Sequence, residues 1–151
     1  MPLDQRFVGR TYPATAPYLV TREKIAEFAD AIGDPNPAYR SVEAARDLGH
    51  RDVVAPPTFA VVLSSKASAQ VLFDPELGLD YSRVVHGEQS FVYERPVLAG
   101  DLLVVAATVE NIRSAAGNDL LSLRAGISTV AGELVCTARS TVVARGTAGE
   151  G

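Results

Sequence analysis

The sequence has no tryptophan, one cysteine and only two histidines, His50 and His86. A lone Cys136 cannot close an internal disulfide. Two histidines beside one thiol, without ligand spacing, give no reason to expect a metal centre. Cys136 lies in the apolar run Leu134-Val135-Cys136, where a buried, inert thiol is expected; a nucleophile there would need an activating histidine or cation. Basic clusters are also missing, and the net charge is −4, which argues against a nucleic-acid partner. The longest apolar runs, such as Phe59 to Leu63 and Leu102 to Ala107, fall far short of the roughly 18 residues of a membrane-spanning helix. Met1-Pro2-Leu3-Asp4-Gln5-Arg6 lacks the basic region and apolar core of a secretion signal, so a cytoplasmic location is expected.

What is present is an ordinary globular composition, 47% hydrophobic and 21% charged over 151 residues, enough for one domain and too little for two. Residues 1–146 are expected to form that domain, with 147–151 as a frayed tail. Residues 1–18, with prolines at 2, 13 and 17, read as irregular. Thr21 is a good helix cap, Glu23 suits the first turn, and Ile25, Phe28, Ala29 and Ile32 follow helical spacing up to Gly33. Ser41 to Leu48 reads as a second, short helix stopped by Gly49. Pro56-Pro57 opens a third, Thr58 to Leu72, apolar nearly all round at its start and therefore expected to be buried.

After Tyr81 the chain reads as strand. Val85, Gly87, Gln89, Phe91 and Tyr93 alternate with polar neighbours, and Leu103 to Ile112, Leu120 to Val130 and Glu133 to Val143 are rich in Val, Leu, Ile and Thr. Gly117-Asn118 and Ala131-Gly132 supply hairpin turns. Helices first, one of them buried, then a run of antiparallel strands imply an α+β fold: an antiparallel sheet wrapped around a long central helix, the hot-dog architecture.

Gly33-Asp34-Pro35-Asn36-Pro37-Ala38-Tyr39 is followed in order by Leu48-Gly49, Val54-Ala55, His86-Gly87-Glu88-Gln89, Arg95-Pro96 and Gly100-Asp101. This ordered set, spread over most of residues 20–145, resembles the MaoC-like, or hydratase-2, family, whose signature is G-D-x-N-P-x-H. The resemblance implies a hot-dog fold and reversible addition of water to a trans-2-enoyl thioester, giving the (3R)-hydroxyacyl form. In that family the motif's aspartate and histidine activate the water. A glycine where the central helix begins offers its backbone N–H to the thioester oxygen. Asp34 and Asn36 match the family's residues, but the histidine position holds Tyr39 and the glycine position holds Pro57. A phenol titrates near 10 where imidazole titrates near 6.5, and proline has no N–H to give.

The resemblance is strongest to FAS1-type dehydratase halves that have lost the catalytic residues, as in the substrate-stabilising subunit of bacterial heterodimeric (3R)-hydroxyacyl-ACP dehydratases. It implies a substrate-binding set of Asp34, Tyr39, Pro57, Thr58, Phe59, Val62, His86 and Gly87. It implies no cofactor beyond the phosphopantetheine of a CoA or acyl-carrier thioester. Simpler readings stand beside these roles. Asp34 caps a turn, Tyr39 packs with one hydrogen bond, His86 is structural, His50 is a solvated loop residue, and Lys66, Arg83 and Arg95 are solubilising cations rather than phosphate ligands. Four functions follow: the acyl-binding partner of a catalytic hot-dog subunit, a stand-alone homodimeric hydratase, a thioester-binding module without chemistry, and a thioesterase.

Overall fold

In the computed structural model, which describes residues 2–147, the chain begins, as expected, with little regular structure, and this arm lies as a strap along one edge of a sheet. Asp4 caps a 3-10 turn at Gln5–Phe7. Beyond it the N–H groups of Gly9, Tyr12 and Thr15 donate to the carbonyls of Val109, Ala107 and Val105, and Thr11 bridges Thr108. The strap ends in a short strand β1 (Tyr18–Leu19) paired to Leu102 and Leu103. Residues 12–17 carry no regular structure, as expected, yet the segment is held at the edge because Pro13 and Pro17 remove donors without preventing its other N–H groups from pairing.

Helix α1 (Arg22–Ala31) starts where its cap predicts: the Thr21 hydroxyl accepts the Lys24 N–H, and Gly33 leaves the helix with φ +72°. Asn36 caps a 3-10 turn at Pro37–Tyr39, and Ser41 caps α2 (Val42–Asp47). The third helix, α3 (Val61–Leu72), begins three residues later than the sequence suggests. Phe59, Val61, Val62 and Leu63 each donate to the carbonyl three residues back, so Pro56 to Ala60 form tight turns before the α-helix. Nor is α3 buried all round. Leu63, Ser64, Ala67 and Val71 face the core, whereas Ser65 and Lys66 are exposed.

Four long strands follow: β2 (Val84–Tyr93), β3 (Leu102–Ala115), β4 (Asn118–Thr129) and β5 (Leu134–Ala144). All pair antiparallel in the order β1-β3-β4-β5-β2. The β3–β4 turn is Ala116-Gly117, one residue earlier than expected. Both have positive φ, +53° and +80°, as a two-residue hairpin loop requires, and Asn118 already pairs with Ala115. A bulge at Glu110 moves the inward alternation of β3 from Leu103, Val105, Ala107 and Val109 onto Ile112.

The curled sheet packs its inner face, including Leu121, Leu123 and Ile127, against Phe59, Leu63, Ala67 and Val71. This is the expected α+β hot dog. Each fully buried large side chain of that layer contributes roughly 1.5–3 kcal/mol. Buried carboxylates fasten the periphery. Asp119 accepts from Leu3 N–H and from the hydroxyls of Ser114 and Thr147. Gly146 and Thr147 are thus tied down rather than frayed, while residues 148–151 lie outside the described part. Asp101 accepts from Arg51, from both terminal nitrogens of Arg95 and from Leu98 N–H. Among the described residues no helix is long and apolar enough to cross a membrane.

Candidate functional site

A cleft of roughly 480 Å³ opens between the turn ahead of α2, the loop that follows it, the approach to α3 and the end of β2. Asn36, Tyr39 and Pro57 line it, so the motif turn and the approach to α3, eighteen residues beyond Tyr39, meet in one cleft. Leu48, Val54, Ala55 and Val97 make it largely apolar, and His50, Tyr93, Glu94 and Arg95 add polar groups.

The motif loop holds itself in shape with its own side chains. Asp34 Oδ1 accepts from Asn36 N–H at 3.0 Å, and Asn36 Oδ1 accepts from Ala38 N–H at 3.0 Å. Arg40 clamps the loop through the carbonyls of Asn36 and Asp34 and the carboxylate of Asp30. Asp34 therefore caps a turn. Tyr39 follows, 9% exposed, in the histidine position of the motif. Burial, reinforced by the nearby Asp34 carboxylate, pushes its pKa above the ordinary value of 10.0, so the ring is a neutral phenol at physiological pH. Its hydroxyl has no hydrogen-bond partner among the described residues, and it is not sealed in the protein. It opens onto the cleft.

At Pro57 the backbone carries no N–H, and its carbonyl accepts a hydrogen bond from the Tyr93 hydroxyl. Tyr93 is held neutral by burial and, secondarily, by Cys136. Cys136 is fully buried, and burial pushes its thiol up to about 11, which leaves it unreactive. Arg95 reaches the cleft, but its guanidinium is bonded to Asp101 and Glu133. Burial alone would raise the Asp101 carboxyl; the hydrogen bonds from Arg95 and Leu98 and the charge of Arg51 outweigh it and hold the group below 3.8.

The remaining predicted site residues lie apart from this cleft. Phe59 is core, edge-on to Phe28 with centroids 5.5 Å apart. Thr58 is exposed and Val62 packs on the core; neither lines the cleft. His86 lines a second groove of about 290 Å³ with Ser64, Ser68, Phe73 and Tyr81, on the open side of β2. Gly87 sits at a bulge where a Cβ would meet the Thr141 carbonyl oxygen at 3.2 Å, which is why the position is glycine. Lys66 lies over the Tyr18 ring and Arg83 pairs with Asp80.

Sequence reasoning took His50 for a solvated loop residue and gave Tyr93 no site role, yet both line the cleft. Tyr93 carried a signal, the inward alternation of β2. His50 carried none, because local turns at Gly49 and Ala45 combine with ion pairs to distant Asp101 and Arg22 to set its loop.

Residues 6–138 match the FAS1-like, dehydratase domain region. A UPF0336 protein of Saccharopolyspora erythraea is 60% identical over 148 residues, 98% of this chain and 95% of the relative. A MaoC-like dehydratase superposes with a TM-score of 0.85 at 35% identity, covering 92% of this chain and 42% of that protein. The chain thus spans less than half of that dehydratase. The truncated HadBC complex of Mycobacterium tuberculosis, a (3R)-hydroxyacyl-ACP dehydratase, matches with a TM-score of 0.81 at 33% identity over 91% of this chain and 96% of that one.

Proposed function

This chain belongs to the FAS1-like dehydratase family, and we propose that within it the chain is the acyl-thioester-binding subunit of a (3R)-hydroxyacyl dehydratase whose catalytic base resides on a separate hot-dog chain. The observation that carries this reading is that Tyr39 and Pro57 line the same cleft. Reversible dehydration needs a group that moves a proton near neutral pH and a donor for the thioester oxygen as negative charge builds there. Tyr39 stays protonated, and Pro57 presents a carbonyl. Loss of a general base lowers a rate on the order of 100- to 10,000-fold, and loss of one oxyanion donor about 100- to 1,000-fold. His50 returns an imidazole to the cleft but leaves the second vacancy unfilled.

Two further features support a partner. Strand β2 ends the sheet order and buries none of its ten residues, so its outer edge is free to take a strand from another chain. HadBC, at 33% identity, is a dehydratase complex. The substrate class is a CoA or carrier-protein acyl thioester of fatty-acid metabolism, handled in the cytoplasm, with no cofactor of the chain's own.

The test is hydration of crotonyl-CoA by the purified chain, alone and mixed with a hot-dog subunit that carries an intact G-D-x-N-P-x-H motif. The mixture should exceed the sum of its separated parts by at least tenfold. A mixture no faster than that sum would overturn the proposal.

A further inference from the structure

His50 stands in a loop anchored on both sides. Gly49 turns the chain with φ +91°, and His50 N–H donates to the Ala45 carbonyl at 3.0 Å. Next to it, Arg51 reaches the buried Asp101 carboxylate at 2.7 Å, and Arg46 holds the Arg51 carbonyl at 3.3 Å. One residue further, Asp52 accepts from its neighbour Val53 and from Arg22. The loop backbone is fixed at the cleft by these contacts. Yet the His50 imidazole has no hydrogen-bond partner among the described residues, and it lines the same cleft as the unpartnered Tyr39 hydroxyl.

Two hydrogen-bonding groups held by firm scaffolding, set among Ala38, Leu48, Val54 and Val97 and lacking partners within the chain, describe a binding site for an apolar body with two polar atoms. A neutral phenol donates. An imidazole offers two ring nitrogens, at least one of which donates. A saturated acyl thioester offers one good acceptor, its carbonyl oxygen, and leaves one member of the pair unmet. A hydroxyl at C3 supplies the second.

Resting on the acyl-thioester reading above, we propose that His50 and Tyr39 together hold a 3-hydroxyacyl thioester in this cleft without transforming it. One takes the thioester carbonyl and the other the C3 hydroxyl. No water leaves, because elimination requires removal of a Cα proton with a donor on the thioester oxygen, and Pro57 gives none. The site is a holding site for the dehydratase's hydroxyacyl form.

The full-length isolated chain should be titrated calorimetrically with (R)-3-hydroxybutyryl-N-acetylcysteamine and with butyryl-N-acetylcysteamine, alongside imidazole NMR spectra. The hydroxyacyl probe should bind at least tenfold more tightly, and the His50 resonances should move while those of His86, in the other groove, stay put. His50→Ala should erase the preference with the melting temperature unchanged. His50→Gln, which keeps a hydrogen-bonding group, should restore part of it, and Tyr39→Phe should weaken the hydroxyacyl probe. Equal affinities, a preference that survives His50→Ala, or no binding of either probe would overturn the proposal. Neither turnover nor a partner is needed, so the dehydratase reading fails by a separate observation, an inactive mixture.

Discussion

The two edges of the sheet are finished differently. The β3 edge is covered by the chain itself: the strap pairs along it, β1 continues the pairing, and Asp119 ties Leu3 and Thr147 beside it. The β2 edge is left bare, with Val85 and Val92 exposed and no residue of the strand buried. An uncovered edge of ten residues is an invitation to pairing that folded proteins usually blunt. Here it is blunted on one side only. The sheet can therefore grow in one direction, which favours a closed pair over an open array.

If the edges differ in this way, damage to the covered one should cost stability and damage to the bare one should cost association. The largest expected effect is Asp119→Ala. It strands a buried backbone donor and two hydroxyls and should lower stability by about 3 kcal/mol, a fall in melting temperature of roughly 6–12 °C. A fall below about 2 °C would mean that the strap contributes little.

Acid should come next. Asp52, held at about 2 chiefly by Arg22, and Asp101, held below 3.8 against its burial by Arg95, fasten the loops beside the covered edge. Because their folded pKa values lie below the unfolded ones, their contribution is complete above about pH 4 and disappears as pH falls toward 2. Melting curves from pH 6 to pH 2 should be flat above pH 4 on account of these groups and decline below it. Asp101→Asn should make that decline shallower. An equal slope in the variant would remove Asp101 from the account.

The smallest effect on stability belongs to the bare edge. Val92→Lys replaces a side chain that is 54% exposed and should change stability by less than about 0.5 kcal/mol. It should weaken assembly with the proposed catalytic subunit at least tenfold. Unchanged assembly, measured by sedimentation, would place the partner elsewhere.

Much of this was legible in the residues. Thr21, Ser41 and the helical spacing of Ile25, Phe28 and Ala29 gave α1 and α2 to within a residue, because caps and amphipathic faces are local. The strands were legible by alternation, and the fold class followed from the order of elements. The strap was not, since its partners lie about ninety residues away and nothing near Thr11 or Thr15 announces them. The start of α3 was misread because two prolines suit both a helix's first turn and the tight turns observed at Pro56 to Ala60. In the cleft, the motif order brought Asn36, Tyr39 and Pro57 to attention. His50 was read as a solvated loop residue because the ion pairs Arg22–Asp52 and Arg51–Asp101 that help set its loop are not visible locally.

What most directly tests the absence of a working base is the initial rate of crotonyl-CoA hydration by the purified chain beside its Asp34→Asn variant, with no other protein present. Both should run at or near the uncatalysed background and be indistinguishable. A robust rate that Asp34→Asn abolishes would show that the chain performs the chemistry by itself, and the partner account would be wrong.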